Sequence, residues 1–171
     1  MTENALHIRH AKPEDIGDIE TIYANARRYM AENGNPNQWV NGYPDTIQVR
    51  EDLDNGNLYV CTDSERTVVG VFCYFQGIEP DYLKIYQGSW LADGPYGVIH
   101  RIAVGAHQKG VASACIAYAF SRCGNLRIDT HRDNLPMQRT LARNGFIPCG
   151  IIYTKYGGER IAYQKTQKGN G

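Results

Sequence analysis

Residues 98–120 read VIHRIAVGAHQKGVASACIAYAF, and this stretch decides the fold. Val98 to Val104 is an apolar run of strand length. Past a short loop, Gly110 opens a run of small residues (Val111, Ala112, Ser113, Ala114, Cys115, Ala117 and Ala119) that continues to about Cys123, where Gly124 closes it. Small side chains let a helix lie close on a sheet, and a glycine just past the last turn is a common stop. The loop segment His107-Gln108-Lys109-Gly110-Val111-Ala112 sets unpaired backbone N–H groups at the positive end of the helix dipole, which suits a phosphate. A glycine before a helix is as often a plain turn, so the loop gains weight only from the elements around it.

Upstream, Leu6 to His10 alternates apolar and polar residues and predicts a first strand. A helix follows with Pro13 in its first turn, an apolar stripe at Ile16, Ile19, Tyr23, Ala26 and Met30, and Gly34 at its end. Asn33 to Pro44 is dense in Asn, Gly and Pro and reads as a loop carrying Trp39 and Tyr43. A short helix from about Thr46 to Asn55 precedes two antiparallel strands, Leu58 to Cys61 and Val68 to Phe75. Gly77 to Gly97 has no clean period and reads as an ordered insertion.

Downstream, Leu126 to Asp129 predicts a strand, and Asn134 to Asn144 a helix with Asp133 or Asn134 as cap and Gly145 as stop. A hairpin of Ile151 to Tyr156 and Arg160 to Lys165 crosses Gly157-Gly158, and residues 166–171 read as a tail. With 171 residues, no repeat and no linker, the chain is expected to form one α/β domain of mixed strand direction.

Composition narrows the function. Eighteen basic and 18 acidic side chains balance to zero, which disfavours a dedicated nucleic-acid binder. No apolar stretch approaches the roughly 20 residues of a membrane span, and Met1 to His10 lacks a signal-peptide core. The five cysteines never occur as C-x-x-C, so free buried thiols in a reducing cytoplasm are expected and a zinc site is not.

Four motifs in order carry a resemblance: Ile102-Ala103-Val104, the loop through Gly110-Val111-Ala112, Asp129-Thr130-His131-Arg132-Asp133-Asn134, and Asn144-Gly145-Phe146. From Ile8 to about Lys165 the chain resembles the GNAT superfamily of acetyl-CoA-dependent N-acetyltransferases, most nearly its bacterial members. The resemblance implies a mixed, mostly antiparallel sheet of six to seven strands flanked by about four helices. It implies acetyl-CoA as cosubstrate, no metal, and a small-molecule or peptide amine as acceptor. The backbone of Ile102, Ala103 and Val104 would pair with the pantetheine arm, and Gln108, Lys109, Gly110, Val111, Ala112 and Ser113 would hold the pyrophosphate. Asn134 matches an asparagine that contacts the cofactor near its pantetheine end. The thioester would lie between the strand ending at Val104 and the one ending at Asp129.

Two positions depart from the family pattern. His107 stands where the loop usually begins with Arg or Gln, which shifts phosphate binding toward Lys109 and the amides. Leu141 stands where many members carry a tyrosine that protonates the leaving thiolate. A thiol of pKa about 8.5 can leave as its thiolate without a strong acid. Tyr153 or Tyr118 could substitute.

Activating the amine is the harder step. An alkyl amine is only about one part in a thousand neutral at pH 7, and the neutral form attacks. His100, on the strand that carries the acetyl-binding backbone, is the first candidate base, in a strand similar to the one that carries a catalytic histidine in arylalkylamine acetyltransferases. Its other role would be a hydrogen bond within the sheet. His131 is the second candidate, or else a polar residue before the helix cap, and Asp129 could orient either imidazole or close its strand. A backbone N–H near Ile102 or Ala103 would meet the oxyanion, worth about 3–4 kcal/mol in a dry site.

The substrate side would draw on Tyr29, Trp39, Tyr43 and Tyr96, with Tyr82, Trp90, Glu79, Asp81 and Asp93 nearby in sequence. Such aromatics also serve to pin loops to a core. A non-catalytic acyl-CoA binding or sensing module is the alternative reading, and a nucleotide-phosphate enzyme is disfavoured because G-x-x-x-x-G-K-[ST] is absent. The late hairpin, Ile151 to Lys165, is a candidate homodimer surface.

Overall fold

Seven strands form one sheet in this computed structural model, which describes residues 5–105 and 108–167. They are β1 (His7–His10), β2 (Leu58–Thr62), β3 (Val68–Gln76), β4 (Gly97–Val104), β5 (Asn125–Thr130), β6 (Ile147–Tyr153) and β7 (Glu159–Thr166), in the spatial order β1-β2-β3-β4-β5-β7-β6. Every neighbouring pair is antiparallel except β4 with β5. Four helices, α1 (Ile16–Glu32), α2 (Thr46–Asp54), α3 (Val111–Cys123) and α4 (Leu135–Arg143), flank it.

Sequence chemistry explains the helix ends. Pro13 to Asp15 forms a 3-10 turn rather than the first turn of α1, because the Asp15 carboxylate reaches back to the Lys12 N–H at 2.8 Å and grips Arg9 at 2.7 Å. Asp45 caps α2 by accepting from the Gln48 N–H at 2.9 Å, and Asn134 caps α4 by accepting from the Met137 N–H at 3.1 Å. Gly110 (φ 84°) and Gly124 (φ 66°) bracket α3 in the left-handed conformation that glycine adopts without steric cost.

The two sheet faces carry separate cores. On the back face, Val111, Cys115, Ile116 and Ala119 of α3 pack with Leu141, Phe146, Tyr59, Phe72 and Ile99. Gly70 makes this close approach possible, since a Cβ there would lie 2.6 Å from Val111 Cγ1. On the front face, Ile19, Ile22 and Tyr23 of α1 and Val49 of α2 cover Leu58, Val60, Val71 and Ala103. Tyr82, Val98, Ile152 and Ala162 form a third core beneath the insertion.

That insertion is ordered by polar ties as well as packing. Buried Gln164 accepts from the Leu91 N–H at 2.7 Å and donates to the Ala92 carbonyl at 3.2 Å, and the Arg127 guanidinium lies between the rings of Trp90 and Tyr96. Tyr86 and Ile151 exchange backbone hydrogen bonds of 2.8 Å, so the insertion covers part of the β6 edge.

One boundary differs clearly from expectation. β6 begins at Ile147 instead of Ile151, directly after α4 and the Gly145 turn. Pro148 and Gly150 interrupt the strand pattern in sequence, but a register shift between them lets β6 pair with β7 throughout. No helix among the described residues is long and apolar enough to cross a membrane. All five cysteines are free thiols.

Candidate active site

The parallel β4–β5 ladder consists of Gly97–Leu126 and Val98–Arg127. Beyond it the strands part, because β4 changes register against β3: Cys73 faces His100 while Val71 faces Ala103, so Arg101 and Ile102 together oppose Phe72. This bulge puts Arg101 at φ 52°, a conformation that a β-carbon disfavours.

A buried polar network holds Arg101 there. Its Nε and one terminal nitrogen donate to the two Asp52 oxygens at 2.7 and 2.8 Å, its other terminal nitrogen donates to Tyr43 Oη at 2.9 Å, and Tyr23 Oη donates to its carbonyl at 2.8 Å. Burial works against the Arg101 charge, yet the Asp52 bonds hold its pKa above the ordinary arginine value. Burial pushes the Tyr43 hydroxyl up.

A cleft of about 1130 Å³ opens from this gap onto the front face. β4 contributes Ile99, His100, Arg101 and Ile102 to it, and β5 contributes Ile128, Asp129 and Thr130. The 33–45 loop forms another wall, tied across the cleft where Gln38 Oε1 accepts from Asn134 Nδ2 at 2.9 Å and the Gln38 carbonyl accepts from Arg160 at 3.3 Å.

His100 lies in this cleft with Nε2 2.8 Å from Glu79 Oε1, its ring beside Phe75 and Tyr82. A carboxylate oxygen only accepts, so Nε2 is the donor of this pair, which in the neutral tautomer places the ring's lone pair on Nδ1. Tyr96 in turn orders Glu79, because Tyr96 Oη accepts from the Glu79 N–H at 2.9 Å. Asp81 and Asp129 line the same wall, and burial followed by repulsion from Glu79 raises the Asp81 pKa. Asp129 does not orient an imidazole; it accepts from Tyr82 Oη at 2.6 Å.

The other expected residues divide between cleft and scaffold. Trp39 and Tyr43 line the cleft, and the Trp39 ring, T-shaped to that of Tyr23 with centroids 5.5 Å apart, also packs against the front-face core. Tyr29 is 56% exposed and Tyr96 is a support for Glu79; neither is among the lining residues. His131 sits in the turn before α4, where its Nδ1 accepts from the Asp133 N–H at 3.0 Å, and burial, then Arg160, lowers its pKa. Tyr153 lies away from the cleft lining with its ring edge-on to Tyr86 at 5.5 Å, and Tyr118 packs on the back face among Tyr59, Phe72 and Arg122.

At the start of α3 the N-cap Gly110 offers no side-chain acceptor, so among the described residues no side chain caps the helix and the amides of Val111, Ala112 and Ser113 have no acceptor within it. Ser113 Oγ accepts from Asn144 Nδ2 at 3.0 Å, which joins the start of α3 to the end of α4. Gln108 is half-buried and Lys109 exposed, while His107 lies outside the described residues. Asn134 spends its amide on Gln38 and its oxygen on the helix cap. Leu141 is fully buried in the back-face core.

Sequence reasoning missed the Glu79–His100 pairing and the Asp52–Arg101–Tyr43 network. The available signal was Asp52 itself, three residues after Val49 on the apolar stripe of a short helix, where a charge requires a partner.

No protein-family model matches the sequence, and no curated protein does. Solved structures do. A GNAT-family acetyltransferase from Streptococcus agalactiae is 30% identical, with 95% of this chain and 96% of that one covered at a TM-score of 0.88. A GNAT-family acetyltransferase from Listeria monocytogenes is 20% identical over 94% of each chain at a TM-score of 0.69. NAA60 from Arabidopsis thaliana, solved in complex with acetyl-CoA, is 14% identical over 95% of this chain and 99% of that one at a TM-score of 0.66, and shares the fold. The splayed β4–β5 pair, the uncapped start of α3 and the identity to the streptococcal enzyme along almost the whole chain agree: this protein belongs to the GNAT family of acetyltransferases.

Proposed function

We propose that the protein moves the acetyl group of acetyl-CoA to a primary amine of a small metabolite or peptide, by direct attack in a ternary complex. The observation that carries this reading is the β4–β5 gap, which joins the front-face cleft holding the Glu79–His100 pair to the strand edge at Ile102. The pantetheine arm pairs with the free edge of β4, and the first-turn amides of α3 with Lys109 take the pyrophosphate. No metal is needed in this scheme.

An acceptor ammonium enters among Glu79, Asp81 and Asp129 and beside Trp39. His100 Nδ1 takes its proton, leaving an imidazolium that Glu79 stabilises. The amine nitrogen then bonds to the carbonyl carbon, the oxyanion meets a backbone N–H at Ile102 or Ala103, the attacking nitrogen gives its second proton to solvent in the cleft, and the C–S bond breaks to release coenzyme A as its thiolate. With Leu141 in the core, thiolate departure relies on the low basicity of sulfur.

Direct attack is favoured over an acetyl-enzyme. Cys73 is the one cysteine among the described residues that line the cleft, and burial pushes its thiol up to about 12. A thiol that far above neutrality supplies no thiolate nucleophile.

The test is thiol release from acetyl-CoA with pooled small amines and short peptides, with binding measured alongside. Release above the blank without amine is the expected result. Tight binding with no release across the pool would favour an acyl-CoA sensor, and no binding would refute the reading.

A further inference from the structure

The cleft is polarised. Glu79, Asp81 and Asp129 line it on the side of the insertion and the parting strands, and among the described residues no lysine or arginine pairs with any of them. Three cationic side chains line it as well, in different states. Arg101 is spent on Asp52, and Lys155 stands exposed near the tip of the β6–β7 hairpin. Arg160 is half-buried, and among the described residues no carboxylate lies within ion-pair distance of it.

The terminal nitrogens of Arg160 donate instead to two backbone carbonyls, that of Glu159 at 2.8 Å and that of Gln38 at 3.3 Å. These use two of a guanidinium's five N–H bonds and neutralise none of its charge. A partly buried arginine in that state suits a carboxylate, which its planar fork meets bidentately.

Strand register places this cation relative to the chemistry. Continuing the β4–β5 ladder past Val98–Arg127 sets His100 level with Asp129 across the gap. Asp129 pairs with Ala162, and side chains two residues apart share a face, so Arg160 stands on the face of Ala162, two residues toward the open end of the gap. At about 3.3 Å per residue and 4.8 Å between strands, the α-carbons of Asp129 and Arg160 are roughly 8 Å apart. The long arginine side chain spans part of that distance.

We propose that the acceptor is an amino acid or a close relative, a primary amine with its own carboxylate a few bonds away. Arg160 binds the carboxylate while the amine lies among the acidic side chains and faces His100. An acceptor bearing amines alone would leave Arg160 unpaired and could set cation beside cation, which disfavours it. This inference rests on the acetyl-transfer reading above and narrows its acceptor.

The test uses the common α-amino acids and the straight-chain ω-amino acids up to 6-aminohexanoate, each beside its carboxamide, as acceptors in thiol release from acetyl-CoA. Wild type, Arg160→Gln and Arg160→Lys are compared through the ratio of kcat/KM for acid over amide. The change in that ratio between proteins cancels both the differing basicity of the two amines and any difference in folded fraction. For the best acceptor pair it should fall about ten- to a hundredfold in Arg160→Gln, the size of a hydrogen bond to a charged group. Arg160→Lys keeps the charge without the fork, and its ratio should fall less.

An unchanged ratio in Arg160→Gln would overturn the proposal and leave the guanidinium as a tie for the 33–45 loop. Wild-type release with amides or simple amines but with no amino acid would overturn it too, as would acetyl-CoA binding without release from any acceptor in the set. Failure of the wild type to bind acetyl-CoA would instead remove the acetyl-transfer reading, and this inference with it.

Discussion

Replacing Asp52 by alanine leaves the Arg101 guanidinium buried and without its bidentate partner. Both side chains are well inside the protein, 6% and 14% exposed, so solvent screens the pair weakly. Breaking such a pair from one side costs about 3–5 kcal/mol. At roughly 2–4 °C per kcal/mol for a chain of this size, the melting temperature of Asp52→Ala should fall by about 6–20 °C.

The same change releases the β4 bulge. Arg101 holds φ 52° because Asp52, Tyr43 and Tyr23 converge on it, and Ile102 is the next residue along the edge of β4 proposed to meet the acetyl group. Loss of that positioning should lower kcat about ten- to a hundredfold below the melting transition. Asp52→Asn keeps the shape and part of the hydrogen bonding, and should lose less of both. Adding Arg101→Gly to Asp52→Ala removes the unpaired charge and suits the left-handed backbone, so the double variant should be more stable than Asp52→Ala alone. Melting curves and initial rates on the four proteins decide the matter. An Asp52→Ala enzyme that melts within about 2 °C of wild type and turns over normally would refute the argument.

Three further outcomes follow from the same geometry. His100→Ala should lower turnover by about a hundredfold or more with acetyl-CoA affinity kept, and Glu79→Gln should lower it less; an unchanged His100→Ala rate removes the imidazole from the mechanism. Cys73→Ala should keep its activity, and intact-protein mass spectra after incubation with acetyl-CoA should show no acetylated Cys73; an acetyl-enzyme competent to pass its acetyl to an amine would contradict direct attack. Asp15 is held below the ordinary carboxylate range by its hydrogen bonds with Arg9. A depressed folded pKa gives stability that is present above the unfolded value, about 3.9, and lost as pH falls through the folded one. The gap in denaturant midpoint between wild type and Asp15→Asn should therefore be wide at pH 7 and shrink by about pH 3; a gap independent of pH contradicts the linkage.

The elements that punctuate themselves were legible in the sequence. α3 was readable from its small residues and bracketing glycines, α4 from Asn134 and Gly145, and the Gly157-Gly158 hairpin from its turn. Local chemistry sets all of these. The start of β6 was hidden because Pro148 and Gly150 break the two-residue pattern, and only pairing with β7 restores it.

The site was legible in part, for the same reason. His100, singled out from its strand, and Trp39, from its loop, both line the cleft. Glu79 meets His100 from an insertion with no period of its own, and Arg101 takes a positive φ that only the register of β3 and the pull of α2 impose. Pairings made between separate elements leave no spacing to read. Tyr96 illustrates the cost: its aromatic character suggested the substrate, whereas its hydroxyl holds the Glu79 backbone.

A crystal structure of the protein with acetyl-CoA tests the central claim most directly. The account predicts the thioester in the gap between β4 and β5, with its carbonyl beside Ile102 and its carbon open to the cleft that holds His100. Acetyl-CoA bound outside the gap, or a thioester walled off from His100 by the sheet, would contradict it.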